Sequence, residues 1–307
     1  MRIRIIDTDG SLMAQPGVMA MCAATGGDVV AARDLAPRLR LLAARDALAA
    51  LAARLGPPEA GEITFIGSGD FHHLSLLLAT RHARALSIVH FDNHPDWVRF
   101  PASLNCGSWV ARALEEPQVR RVVTIGPASP DIEAPQLKGA TMEALRSGRL
   151  ELHAWTGLET FYAGPAFENA GASAAAGIAR DGLKWRGLAG DDWRARIDAI
   201  AARLPDAPVW ITLDKDVLGT GEAVTNWDQG RLTLDAVLEA IGTIAAHRPL
   251  LGMDVCGDYS PEGSLGMFRS LLARLDRSQR PVPQGDGASV NEATNLRILA
   301  AMGALLQ

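Results

Sequence analysis

An α/β fold built on a parallel sheet is what this sequence predicts, on three observations. Short apolar runs recur along the chain, most of them are apolar at nearly every position, and segments of helical composition lie between them. A strand covered by helices on both faces is apolar at both parities, whereas a half-exposed antiparallel ribbon alternates.

Taken in order, Met1 to Asp7 alternates charged and apolar residues and runs into Asp9-Gly10, which predicts a first strand and a turn and offers no signal-peptide core. Leu39 to Leu55 is rich in Ala, Leu and Arg and stops at Gly56-Pro57-Pro58, the composition and ending of a helix. Strands are predicted at Ile63 to Ile66, Leu86 to Phe91, Val122 to Ile125 and Leu150 to Ala154. The Gly- and Ala-rich tract over residues 163–190 reads as a surface excursion. The pattern then resumes with a strand at Val209 to Leu213, a helix at Leu234 to Ala246 after Thr233, a strand at Leu250 to Val255 and a closing helix at Asn291 to Leu306. Because the strand-like runs keep one character throughout, a single domain over residues 1–307 is expected.

Composition narrows the function. A chain of 307 residues with 48% hydrophobic and 21% charged residues belongs with ordinary globular proteins rather than disordered or collagenous ones. No apolar stretch approaches the ~20 residues of a membrane span. Thirty Lys and Arg against 35 Asp and Glu give a net charge of −5, a poor balance for nucleic acid or an anionic lipid surface. Cys22, Cys106 and Cys256 are odd in number and far apart, which suits a reducing cytoplasm.

Polar residues gather just after the apolar runs, where the carboxyl ends of parallel strands open a crevice. Three clusters stand out: Gly67-Ser68-Gly69-Asp70-Phe71-His72-His73, Asp92-Asn93-His94-Pro95-Asp96, and Asp214-Lys215-Asp216. Residues two apart at a strand end point to one side, so each i, i+2 pair can converge on an ion. A lone Asp-x-Asp is ordinarily a turn or cap, and a lone His-His is ordinarily packing. The conjunction carries the signal: four carboxylates brought together would repel unless cations sat among them, and carboxylates with imidazoles suit Mn²⁺ better than a structural zinc.

In their order along the chain these clusters resemble the motifs of the ureohydrolase superfamily, which includes arginase, agmatinase and formimidoylglutamase and shares its fold with the histone deacetylases. Gly69-Asp70-Phe71-His72 is similar to that family's Gly-Gly-Asp-His, the Asp92 cluster to its Asp-Ala-His-x-Asp, and Thr212-Leu213-Asp214-Lys215-Asp216 to its Ser-x-Asp-x-Asp. The resemblance implies a three-layer α/β/α sandwich around a mostly parallel sheet of about eight strands. It implies two divalent ions, Mn²⁺ by preference, held by His72, Asp92, His94, Asp96, Asp214 and Asp216, with His73 as the alternative to His72 because Phe71 separates Asp70 from the imidazole.

Three departures accompany the match. The family's Leu-Asp-Ile-x-Glu, whose glutamate grips a guanidinium, is Met253-Asp254-Val255-Cys256-Gly257-Asp258 here, leaving Asp258 as an offset candidate anchor. Cys106 stands where the family has a proton-shuttling histidine, and Lys215 lies between two aspartates where an apolar residue is usual and is expected to point away from the metals. The implied activity is hydrolysis of a C–N bond in a small or peptide-linked guanidino or amidino compound by a metal-bridging hydroxide, releasing urea or an analogue. Asp96 would pass the proton to the leaving amine, Asp258 would hold the cationic group and Cys106 would replace the shuttle. Trp97, Trp109 and Trp227 are either core residues or walls of the site, and Asn226 and Asp228 either turn residues or specificity contacts. The alternatives are a metal-dependent amide deacylase and a metal-binding protein without turnover; self-association is left open.

Overall fold

The computed structural model describes residues 1–100, 103–261, 279–280 and 287–306. Eight strands form an all-parallel central sheet: β1 (Arg2–Asp7), β2 (Asp28–Ala31), β3 (Glu62–Gly67), β4 (Leu86–Phe91), β5 (Val119–Ile125), β6 (Leu150–His153), β11 (Val209–Asp214) and β12 (Leu250–Cys256). Their spatial order is β2-β1-β3-β12-β11-β4-β5-β6, which places β3, β12, β11 and β4 side by side at the centre.

Alternate residues of these strands feed two separate cores. Ile88 and Trp210 pack on one face with helices α3 (Arg45–Leu55), α4 (Leu74–Thr80), α5 (Trp109–Ala113) and α6 (Met142–Arg146). Val89, Phe91, Ile211 and Leu213 pack on the other with α1 (Pro16–Ala24), α7 (Trp193–Ala202), α8 (Leu234–His247) and α9 (Gly287–Leu305). Burial on both faces is why the strands read as unbroken apolar runs, and it makes the three layers of the expected sandwich. No helix among the described residues is long and apolar enough to cross a membrane.

Two segments differ from expectation. Leu39 to Leu55 is not one helix but α2 (Ala36–Leu39) and α3, separated by an extended piece. Leu41 takes a left-handed backbone, its N–H donates to the Asp70 carbonyl at 2.8 Å, and the Ala43 N–H donates to the Leu104 carbonyl at 2.8 Å. Long-range pairing thus overrides helix propensity and lays Leu41 and Leu42 beside the cleft described below. The Gly- and Ala-rich tract lies in a four-stranded antiparallel sheet of β7 (Leu158–Gly164), β8 (Phe167–Glu168), β9 (Ala172–Ala174) and β10 (Gly177–Trp185), in the order β7-β10-β9-β8. Tyr162, Leu183 and Trp185 join the first core, while Ile178 stands 82% exposed.

Candidate metal centre

The carboxyl ends of β3, β4 and β11 open on one cleft. From β3 the chain turns through Gly69–Phe71, where Ser68 Oγ accepts the Asp70 N–H at 3.2 Å, and delivers His72. A Cβ on Gly69 would stand 2.7 Å from Asp214 Oδ2, so a side chain there would push that carboxylate aside. From β4 come Asp92, His94 and Asp96, and from β11 Asp214 and Asp216. Asp96 carries a left-handed backbone (φ 47°), uncommon for a side-chain-bearing residue, and Trp109 Nε1 donates to its Oδ2 at 2.7 Å.

His72 Nδ1 faces three carboxylates, at 3.1 Å from Asp92 Oδ2, 3.2 Å from Asp96 Oδ2 and 3.5 Å from Asp214 Oδ2. Its other nitrogen lies 3.0 Å from Thr212 Oγ1, which in turn donates to buried Asp254 at 2.8 Å. His94 Nδ1 lies 3.0 Å from Asp216 Oδ2 and 3.5 Å from Asp92 Oδ1, and its Nε2 is 2.9 Å from Asp228 Oδ1. The backbone helps aim the acids: the N–H groups of His94, Asn93 and Asp216 donate to Asp92, Asp216 and Asp214 at 2.6, 3.0 and 3.0 Å. Asp92 thus lies between two groups of potential ligands, His72 with Asp96 and His94 with Asp216.

Electrostatics describe the same cluster. Burial, then the neighbouring charges of Asp214 and Asp92, pushes the Asp216 carboxyl well above its ordinary range. Burial and Asp92 push Asp96 up to about 6 and also raise Asp214. Burial works the same way on Asp92, but His90 beside it and hydrogen bonds from His72, His90 and His94 outweigh it and hold Asp92 well below the usual range. Carboxylates that must take up protons to coexist form a site suited to cations, and oxygen with imidazole nitrogen is a donor set for divalent ions. Among the described residues, ligand atoms come together in three buried sets that could each hold such an ion: His72, His90, Asp92 and Asp96; His72, Asp214 and Cys256; and Asp92, His94 and Asp216.

Above the cluster lies a cleft of about 260 Å³. Its walls include Leu41, Leu42, Trp97, Val98, Phe100 and Trp227, with Asn105, Cys106, Asp131 and Gln279 among them. Trp97 and Trp227 are therefore both buried and wall-forming, whereas Trp109 is wholly internal and acts on Asp96. Cys106 lies on the wall, packed beside Leu41 and Trp227. His73, the alternative to His72, is buried at the start of α4 and is not among the grouped ligand atoms.

Asp258 corrects the sequence expectation. It is fully buried and absent from the cleft wall, with its Oδ1 2.9 Å from Lys215 Nζ and accepting from Gln15 Nε2 at 2.6 Å. The physical reason is Lys215, itself 0% exposed, whose ammonium needs an internal counter-ion. Gly257 stands at the bend instead, at φ 89°, and a Cβ there would meet Asp214 Oδ1 at 2.4 Å, so no acidic side chain fits at that point. Asp228, for which the sequence allows a turn or a specificity contact, is the partner of His94, a pairing across 134 positions. Asp131 and Gln279 went unread, because nothing in their local sequence marks a cleft wall. Cys256 was noticed only as a departure, yet its Sγ donates to Asp214 Oδ2 at 3.2 Å.

No family model matches the sequence. A protein of Thermotoga maritima, described as uncharacterized, is 28% identical over 199 residues, which are 65% of this chain and 59% of that protein. The match thus spans about three-fifths of the relative's length. Among solved structures, arginase from Bacillus caldovelox superimposes at a TM-score of 0.57 with 15% identity, over 99% of this chain and 98% of its own. Proclavaminate amidino hydrolase from Streptomyces clavuligerus gives 0.54 with 14% identity over 99% and 90% of the two chains. Formimidoylglutamase from Bacillus subtilis gives 0.54 with 12% identity over 100% and 87%. The eight-stranded parallel sheet and its flanking helices share the fold of arginase, proclavaminate amidino hydrolase and formimidoylglutamase.

Proposed function

We propose that this chain is a metal-dependent hydrolase that cleaves a C–N bond of an amidino or guanidino group in a small or peptide-linked substrate. The observation that carries the reading is the convergence of His72, Asp92, His94, Asp96, Asp214 and Asp216 beneath one cleft. The ureohydrolase fold of the chain supports it, as do the structural neighbours that bear amidino hydrolase and arginase names. Bound divalent ions, of which Mn²⁺ suits a carboxylate and imidazole set, supply Lewis acidity and a water acidic enough to react near neutral pH.

The remaining steps belong to side chains. Asp96, whose Oδ2 accepts from Trp109 Nε1 and lies 3.2 Å from His72 Nδ1, would relay a proton to the departing nitrogen. Trp109 fixes which way that carboxyl faces. Asp228 and Asp216 bracket the two nitrogens of His94 and so set its ring orientation. Trp97, Trp227, Phe100 and Leu41 exclude water from the cleft and hold the apolar part of the substrate. Asp131, whose carboxylate accepts from Gln279 Nε2 at 3.1 Å, is the acidic wall residue outside the ligand cluster among the described residues, and it can receive a cationic group.

The test is release of urea or ammonia by Mn²⁺-loaded protein from a panel of free and peptide-linked guanidino and amidino compounds, with Asp92→Asn as control. Release by the parent protein and none by a folded Asp92→Asn protein is the expected result. Turnover that survives the substitution would overturn the reading. A second reading, an amide deacylase, is favoured by the apolar wall and by the withdrawal of Asp258 from the cleft; hydrolysis of acyl amides with no activity on the amidino panel would select it.

A further inference from the structure

The two halves of the candidate centre differ in chemistry. Around His94 the nearby donors are oxygen and nitrogen, from Asp92, Asp216 and the imidazole. Around His72 a thiol joins them: Cys256 Sγ, His72 and Asp214 each bring a ligand atom within 4.8 Å of the others, and all three are buried. Cys256 ends β12, paired with Asp214 at the end of β11, so the sheet register sets the sulfur beside the acid that faces His72. The next residue, Gly257, has a left-handed backbone packed so closely that a Cβ would stand 2.4 Å from Asp214 Oδ1 and 2.7 Å from the Lys215 backbone nitrogen. A thiol in the core ordinarily packs among apolar groups; this one lies against a carboxylate and an imidazole.

We propose that Cys256 is a sulfur ligand of the ion held by His72 and Asp214, and that the centre is therefore asymmetric. The His94 side is a hard site of carboxylate and imidazole; the His72 side is softer and selects a thiophilic divalent ion such as Zn²⁺ or Co²⁺ over Mn²⁺. Coordination replaces the S–H···O bond to Asp214, and the thiol proton leaves to solvent as the thiolate binds. The inference rests on the metal-centre reading above and adds to it the identity of one donor and of the ion it prefers. Zn²⁺ outcompetes Mn²⁺ at most nitrogen and oxygen sites, so the informative comparison is with a variant that keeps every ligand but the sulfur.

The experiment is Co²⁺ titration of full-length apoprotein, read by bound cobalt and by the near-ultraviolet sulfur-to-cobalt charge-transfer band. The expected result is binding by the parent, a band in the parent and in Cys106→Ser, and loss of the band in Cys256→Ser, which still binds cobalt. Zn²⁺ affinity at the tighter site should fall roughly tenfold or more in Cys256→Ser, the scale on which tuned metal sites respond. Since the sequence holds three cysteines, the Cys22→Ser/Cys106→Ser double variant leaves Cys256 as the sole thiol, and a band that it retains assigns the sulfur even if Cys256→Ser does not fold. Cobalt bound without the band, or a band that persists in Cys256→Ser, overturns the sulfur ligand while leaving the metal centre standing. A folded parent that binds no cobalt overturns the metal centre itself.

Discussion

Removing the charge of Lys215 tests whether Asp258 is a structural counter-ion or a substrate anchor. The ammonium lies 2.9 Å from Asp258 Oδ1 and 3.0 Å from Asn295 Oδ1, and both charged residues are fully buried. At an effective dielectric near 20 the attraction across that distance is about 6 kcal/mol, comparable to the desolvation of two ions, so the pair as a whole adds little net stability. Taking away one partner is different, because the other charge remains inside. Lys215→Met leaves the Asp258 carboxylate with the amides of Gln15 and Asn295 at 2.6 and 3.3 Å, and should cost about 3–5 kcal/mol. At roughly 2 °C per kcal/mol for a chain of this size, Tm falls by about 6–10 °C. Lys215→Met/Asp258→Asn removes the orphaned charge and should recover at least half of the loss. Thermal denaturation of the parent, both single variants and the double variant supplies the cycle, with KM measured alongside. A stable Asp258→Asn protein whose KM rises tenfold would refute this account and return Asp258 to the substrate.

Two further outcomes follow from the same geometry. Asp228→Ala frees His94 Nε2 from its partner at 2.9 Å, and the affinity of the His94 cluster for a divalent ion should fall about 10- to 100-fold, by equilibrium dialysis. Glu151 is lowered to about 2: burial opposes the shift, but hydrogen bonds from His153 and Arg203 exceed it. Because its folded pKa lies below its unfolded one, this stabilisation is complete above about pH 4.5 and is lost as pH falls toward 2. Glu151→Gln should flatten the acid limb of a stability profile by on the order of 2 kcal/mol.

The central strands were legible because burial on both faces writes itself into every position. Leu86 to Phe91 is read and found with the same ends, and Val209 to Leu213 and Leu250 to Val255 each lengthen by one residue. Asp28–Ala31 went unread, since a four-residue edge strand with Val29 exposed has no two-sided apolar signal. The helix expected from Leu39 was cut at Leu41 by hydrogen bonds to Asp70 and Leu104, partners no local window contains. The candidate ligands were legible because Asp-x-His-x-Asp and Asp-x-Asp are close in sequence, and a strand's two-residue period puts alternate side chains on one side.

By itself the sequence determined the α/β class of the sheet and the three clusters of acids and imidazoles at strand ends, through local periodicity and the cost of crowding carboxylates, while the resemblance to the ureohydrolases implied the three layers and the six candidate ligands. Tertiary structure alone decided what surrounds them. Parallel register across β11 and β12 brought Cys256 to Asp214, and Lys215 drew Asp258 away from the cleft, while Asp228 came to His94 from a loop after β11. These are choices between partners far apart in the chain, made by which buried charge or donor lies within a hydrogen bond of another after folding, and no pattern in the sequence encodes that distance.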